Sequence, residues 1–205
     1  MNIENTALAL FKTTSITQQQ RIDNYCQETG YPRSIYLDET NRIVGTWIMG
    51  NNYQVYSGYY GGYPHGYLKR IKALFPDKKD ILHIFSGKID QSILNGDTVD
   101  LDASLEPTYI DDAQSLDHVP IENYDLILAD PPYSIEDAEN YQPTMVKRNK
   151  VMRALGNKAK TGTHVVWLDQ VLPMFKKDQW AITGVIGMVK STNHRFRVIT
   201  IFKKQ

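Results

Sequence analysis

The chain has 205 residues, 41% of them hydrophobic, which is enough for one substantial core and too little for two. Lys+Arg and Asp+Glu stand at 23 each, so no global charge drives the protein onto nucleic acid or an anionic membrane, and any basic surface must be local. A lone cysteine, Cys26, excludes an internal disulfide framework and a cysteine-rich zinc site, and fits a reducing cytoplasm.

Met1 to Lys12 places Glu4 ahead of a short apolar run from Ala7 to Phe11 and lacks the form of a signal peptide. No stretch approaches the roughly 20 apolar residues of a membrane helix. The expectation is a soluble, cytoplasmic protein with no membrane partner. From Ser15 to Glu28 the pattern predicts a helix with Ile16, Ile22 and Tyr25 on one side, stopped by Gly30 and Pro32. Ser34–Leu37, the turn-prone Asp38–Asn41 and Arg42–Trp47 predict a β-hairpin. Asn51 to Tyr67 holds six tyrosines among glycines and predicts an ordered loop. A helix is expected from Gly66 to Phe75, closed by Pro76. Helix and hairpin together suggest an N-terminal accessory region over residues 1–60, with the main domain over 61–205.

Beyond that point short, continuously apolar runs alternate with polar, partly helical ones, the pattern of a mostly parallel sheet covered on both faces. The expected strands are Ile81–Phe85, Thr98–Leu101, Tyr124–Ala129, Thr163–Leu168, Ala181–Val189 and Arg197–Phe202. The last two, joined by the turn-like Ser191–His194, form an expected terminal antiparallel pair. The fold class is therefore α/β, an open sheet with a small N-terminal helix and hairpin extension.

Tyr124–Ala129 runs directly into Asp130-Pro131-Pro132-Tyr133. Ligands of open α/β sheets bind beyond the carboxyl ends of the strands, so these four residues emerge into the expected site. A carboxylate and a backbone carbonyl side by side suit one task, the activation of an exocyclic amino nitrogen. Such a nitrogen is a poor nucleophile, because its lone pair is conjugated into the ring. Asp130 and the Pro131 carbonyl can accept its two N–H hydrogens, turn the lone pair toward a methyl group and stabilise the charge that develops. Pro131 and Pro132 fix φ near about −65° and remove competing donors. Tyr133 is placed to stack on the base.

An apolar strand followed by Asp-Pro-Pro-Tyr resembles the catalytic motif of the DNA adenine-N6 and related amino-methyltransferases. The resemblance implies a Rossmann-like fold and S-adenosylmethionine as cofactor. It also implies a glycine turn after the first strand, and Ile81–Phe85 followed by Ser86-Gly87 resembles the family's Phe-x-Gly, which would lie against the methionine part of the cofactor. The match is partial, since Ile89 stands where the family has a second glycine and His83 where it has an acid. Thr98–Asp102 resembles the second strand, with Asp102 the implied acceptor of the ribose hydroxyls and Asp100, on the same side, the alternative. Tyr109–Ala113 resembles the segment whose Asp-Ala contacts the cofactor adenine, which nominates Asp112 and Ala113. Upstream, Tyr60-Gly61-Gly62-Tyr63-Pro64 loosely resembles a glycine-rich motif that helps hold the cofactor, nominating Tyr60 and Tyr63.

No acidic residue occurs from Asn140 to Leu168, while Lys147, Arg148, Lys150, Arg153, Lys158 and Lys160 accumulate there. The first four are the candidates for substrate phosphate, although a charge run of this kind also describes a solvated helix face. Lys190, His194, Arg195 and Arg197 form a second basic cluster. Asp97, Asp100 and Asp102 lack the central glycine and closing glutamate of a calcium loop, and the five histidines have no metal-ligand spacing, so no metal is expected. Nothing indicates a homo-oligomer. Within the resembled family, Asp rather than Ser or Asn at the head of the loop implies adenine N6, with DNA the leading substrate. A base in RNA (adenine or guanine amino) and a catalytically silent nucleic-acid-binding subunit remain the alternatives.

Overall fold

A computed structural model of the protein describes residues 16–50, 62–132, 145–191 and 196–205. Tyr60, Tyr133, His194, Arg195 and most of the tyrosine-rich loop lie outside the described residues, as does the expected boundary near residue 60.

Helix α1 (Gln18–Thr29) starts at a capping box, in which Thr17 Oγ1 accepts from the Gln20 amide at 3.2 Å and Gln20 Oε1 from the Thr17 amide at 2.7 Å. Gly30, at φ 66, ends it in the left-handed conformation. The expected hairpin forms as β1 (Ile35–Leu37) and β2 (Ile43–Met49). Asp38 builds its turn by accepting from the amides of Thr40 and Arg42. Helix α2 (Tyr67–Leu74) follows Gly66.

The parallel strands come next: β3 (Ile81–Ile84), β4 (Asp97–Asp100), β5 (Tyr109–Ile110) and β6 (Leu126–Ala129). Helix α3 (Arg148–Lys158) crosses to β7 (His164–Asp169), and β8 (Trp180–Lys190) and β9 (Phe196–Lys204) form the terminal antiparallel pair. All nine strands make one sheet in the order β1-β2-β8-β9-β7-β6-β3-β4-β5. Strand β9 runs antiparallel between β7 and β8. The hairpin is part of this sheet, because β2 pairs in parallel with β8 over its whole length. Two details differ from the sequence expectation. β3 stops at Ile84 because Phe85 turns to φ 59, and the short strand β5 pairs where only a motif was expected.

The continuous apolar runs are explained by burial on both faces. Leu126 and Leu128 of β6, with Val166 and Leu168 of β7, pack on the layer of α1 and α2 through Ile22, Tyr25, Tyr67, Ile71 and Leu74. Ile127 and Ala129, with Val165 and Trp167, point the other way onto Val151, Met152 and Leu155 of α3. Each such Leu or Ile contributes about 1.5–3 kcal/mol by leaving water. Together they fix where β6 ends and therefore where Asp130 emerges.

Candidate active site

The carboxyl ends of β3, β4, β5, β6 and β7 lie along one edge of the sheet. They deliver Phe85-Ser86-Gly87, Asp100, Asp111-Asp112-Ala113, Asp130-Pro131-Pro132 and Asp169 respectively. β3 lies between β4 and β6, so the chain leaves it in one direction and returns on the other side. That is the topological switch point where such sheets bind ligands.

The turn after β3 has an unusual backbone. Phe85 at φ 59 and Gly87 at φ 52 are both left-handed, which costs a non-glycine residue about 1–2 kcal/mol and is free for glycine. Packing of β3, buried at all four positions, holds Phe85 in that conformation. The Gly87 amide donates to Asp100 Oδ2 at 2.9 Å, and Asp100 Oδ1 accepts from the Asp102 amide at 3.1 Å. Asp100 thus faces the glycine turn. Asp102 is exposed and caps a short 3-10 turn by accepting from the Ser104 amide at 2.9 Å, which lowers the pKa of its carboxyl. Ser86 is 2% exposed, and its Oγ has no hydrogen-bond partner among the described residues.

After β5, Asp111 is buried and spent on structure, accepting from the Asp112 amide at 2.8 Å and the His118 amide at 2.7 Å. Asp112 is half-buried and accepts from the Gln114 amide at 2.9 Å. Ala113 packs into the core beneath it. Gln114, which carries no signal in the sequence, accepts from the Lys147 amide at 3.0 Å and ties this turn to the start of α3.

Tyr63 lies on the other side. Its ring stacks on Tyr67 with centroids 5.2 Å apart, and its hydroxyl is 3.4 Å from His83 Nδ1. His83 Nε2 is 3.2 Å from the Leu94 carbonyl, an acceptor, so Nε2 carries the hydrogen and Nδ1 accepts from Tyr63. Burial pushes the His83 pKa down to about 4, against a smaller upward pull from the Leu94 carbonyl. The position where the resembled family has an acid is therefore uncharged at neutral pH.

Asp130 leaves β6 half-buried, followed by the buried Pro131 and half-buried Pro132. Burial pushes its carboxyl pKa up to about 7, the charge of Asp169 adds to this, and Arg197 opposes it. The phenols of Tyr63 and Tyr67 titrate well above the ordinary tyrosine value, chiefly through burial, with Asp130 raising both. They remain donors at any physiological pH. The Tyr67 hydroxyl has no partner among the described residues.

Asp169 ends β7 fully buried. It accepts from Arg148 Nε at 2.5 Å and Nη2 at 3.1 Å, from Trp167 Nε1 at 3.1 Å and from the Gln170 amide at 2.6 Å. The structure thus gives Arg148 to Asp169, while Lys147, Lys150 and Arg153 are exposed on and just ahead of α3. Lys158 and Lys160 donate to the carbonyls of Leu116 and Asn123. From the second basic cluster, Arg197 stands one residue from Val198, the partner of Asp169 in the sheet, and its charge reaches Asp130. The sequence carries a signal for Asp169, since an apolar strand ended by Asp is the same pattern as β6 with Asp130. No helix among the described residues is long and apolar enough to cross a membrane.

No protein-family model matches the chain, and no curated protein matches it. Solved structures do. TrmN from Thermus thermophilus superposes with a TM-score of 0.50 at 16% identity, covering 71% of this chain and 50% of its own, so the chain spans half the length of that protein. An rRNA methylase from Streptococcus thermophilus aligns at TM-score 0.42 and 8% identity over 62% of this chain and 89% of its own. A variant of MtNAS in complex with S-adenosylmethionine aligns at TM-score 0.41 and 11% identity over 68% and 63%. At 16% identity the likeness to TrmN speaks for architecture alone, and with the observed strand order it gives the chain an open, Rossmann-like α/β fold.

Proposed function

We propose that the protein transfers a methyl group from S-adenosylmethionine to the exocyclic amino nitrogen of a nucleobase, with adenine N6 in DNA as the first substrate to test. The observation that carries this is Asp130, an acid at the end of a buried strand whose carboxyl titrates near 7 and is followed by two residues without N–H donors. When bound, the cofactor supplies an electrophilic methyl group. The residues present fit it. Gly87 and the buried Ser86 Oγ, which has no partner among the described residues, suit its methionine part. Asp100 ahead of Asp102 suits the ribose hydroxyls, and Asp112 with Ala113 suits the adenine. Phe85 and Tyr63 flank the glycine turn from opposite faces of the sheet, and Tyr60 is assigned to the cofactor by its motif alone.

Asp130 as carboxylate accepts one amino hydrogen of the base and the Pro131 carbonyl the other, which aims the lone pair. As the donor's sulfur–carbon bond broke and left a neutral thioether, the amino nitrogen gaining the methyl carbon would take on the positive charge. A proton then passes from it to Asp130, leaving the neutral methylamino base, and a carboxyl near pKa 7 accepts that proton and releases it to water readily. The Tyr67 phenol, whose hydroxyl has no partner among the described residues, supplies a neutral donor near Asp130, while Tyr63 spends its hydrogen on His83. Tyr133 stacks on the base, which must leave a duplex to arrive. Lys147, Lys150 and Arg153 meet backbone phosphates, and Arg148 acts by holding Asp169.

Transfer of labelled methyl to unmethylated DNA, RNA and free nucleotides, by the unaltered protein and by Asp130→Ala, tests this. DNA labelling that collapses in the variant is expected. Equal labelling by both proteins refutes the role of Asp130, and labelling of RNA alone moves the substrate to the second reading. No heat on titrating S-adenosylmethionine into concentrated protein would leave a nucleic-acid-binding subunit without catalysis.

A further inference from the structure

Away from Asp130, a cavity of about 470 Å³ opens between the carboxyl end of β2 and the start of α2, lined among others by Tyr31, Trp47, His65 and Arg70. No carboxylate lines it among the described residues. Arg70 is 9% exposed, and among the described residues no acid pairs with it. Its guanidinium is held by the Tyr25 hydroxyl and by the faces of Tyr31 and Trp47, at 4.1 and 5.3 Å from their centroids. The Lys69 ammonium stands 5.5 Å over the same Tyr31 ring. A buried cation without a counter-charge is costly, and aromatic faces offset only part of that cost. Two buried donors, Arg70 Nε and Trp47 Nε1, have no hydrogen-bond partner among the described residues. A cavity with no acid among its described lining residues, a buried guanidinium and two N–H donors without a partner among the described residues has the chemistry to receive an oxyanion.

We propose that this cavity binds a phosphate group of the nucleic-acid strand that carries the target base, an inference that rests on the proposed base methylation. Helix α2 links the two places. Tyr67 feels the charge of Asp130, and Arg70, about one helical turn on, lines the cavity, which would let one strand reach both. Phosphate rather than carboxylate suits the guanidinium together with a second cation, and the half-exposed Tyr31 ring gives an attached sugar or base a surface to lie on.

The three tryptophans supply the readout. Trp167 Nε1 donates to Asp169 and Trp180 Nε1 to the Met152 carbonyl, whereas Trp47 Nε1 has no partner among the described residues. Indole N–H resonances are followed while the full chain, without any methyl donor, is titrated with a short single-stranded oligonucleotide, adenosine monophosphate, inorganic phosphate and acetate. The oligonucleotide is expected to move the Trp47 resonance at micromolar concentration and leave Trp180 in place. Lys69→Gln, an exposed change that keeps the fold, is expected to weaken the effect several-fold, and Arg70→Gln at least tenfold. A stationary Trp47 resonance overturns the proposal. So does movement with acetate equal to that with phosphate, or with free nucleotide but not with oligonucleotide. Methyl transfer to DNA with Trp47 unmoved removes this subsite alone, whereas movement without transfer keeps the subsite and removes the Asp130 reading.

Discussion

Two neighbouring strands, β6 and β7, each end an apolar run with an aspartate at the same edge of the sheet, and the two acids have opposite surroundings. Asp169 is fully buried and collects four N–H donors, two of them from the Arg148 guanidinium. Asp130 is followed by two prolines and sits where burial and the charge of Asp169 hold its carboxyl near 7. Matching sequence patterns thus yield one acid tied into the scaffold by Arg148 and one whose carboxyl is raised to about 7, on which its proposed part in proton transfer rests. What marks Asp169 is the set of N–H donors, Arg148 above all, that the surrounding chain delivers to it.

The comparison breaks most sharply at Asp130. Asp130→Ala is expected to lower methyl transfer by about a thousandfold, the scale of losing a positioned proton acceptor and charge stabiliser together. The fold should survive. With a folded pKa raised from 3.8 to about 7, the folded state holds a proton that the unfolded state has released between those values. Asp130 therefore costs no stability below about pH 4, progressively more up to about pH 7, and a constant amount above it. Asp130→Asn should be the more stable protein at about pH 8 and lose that advantage at about pH 4, which thermal unfolding at the two values would check.

At Asp169 the expected effect is structural. Arg148→Met leaves a buried carboxylate without its cation and is expected to cost about 2–4 kcal/mol in denaturant unfolding, the lower end applying because the guanidinium is partly exposed. A smaller effect links the two acids. The transfer rate of the unaltered protein should fall about tenfold per pH unit below 7, because only ionised Asp130 can take the proton and balance the charge that develops on the amine. His83, held near 4, and His164, held near 3 by its own burial, do not titrate in that window. In Asp169→Asn the charge that raises Asp130 is gone and Arg148 is left positive, so both changes move the acid limb to lower pH. An unmoved limb would uncouple the acids.

Much of this site is legible in the sequence because strand ends are. The apolar run Tyr124–Ala129 stops where Asp130 and two donor-free prolines begin, and a strand buried on both faces has no freedom to place Asp130 elsewhere. The hairpin Ile35–Met49 is equally readable from its turn chemistry at Asp38. Its pairing with β8 is not, because parallel partners so far apart in sequence leave no local trace. The choice between Asp100 and Asp102 also escapes the sequence. Both share a side of the strand, and only the turn at Gly87, closing its amide onto Asp100, separates them. Arg148 reads in the sequence as one cation of a basic run. Its burial against Asp169 follows from the crossing of α3 over β7, which a charge pattern does not encode.

That distinction within the basic run yields the smallest expected effect. Lys147 and Lys150 are exposed near the start of α3, at the same edge as Asp130, and Arg153 is exposed one turn on. Removing a cation that neutralises one phosphate should reduce the slope of log affinity against log salt by about 0.7 for a single strand and 0.9 for a duplex. Lys147→Ala with Lys150→Ala is therefore expected to flatten the slope by about 1.4 or 1.8, lowering affinity severalfold at moderate salt while leaving the acid limb near pH 7 in place. Arg148→Met should do the reverse, leaving the slope intact while it shifts the limb and lowers stability, because its charge is spent on Asp169. Should Arg148→Met flatten the slope as much as a lysine does, Arg148 would be reaching phosphate as well as Asp169, and the division between scaffold acid and reactive acid would lose its anchor.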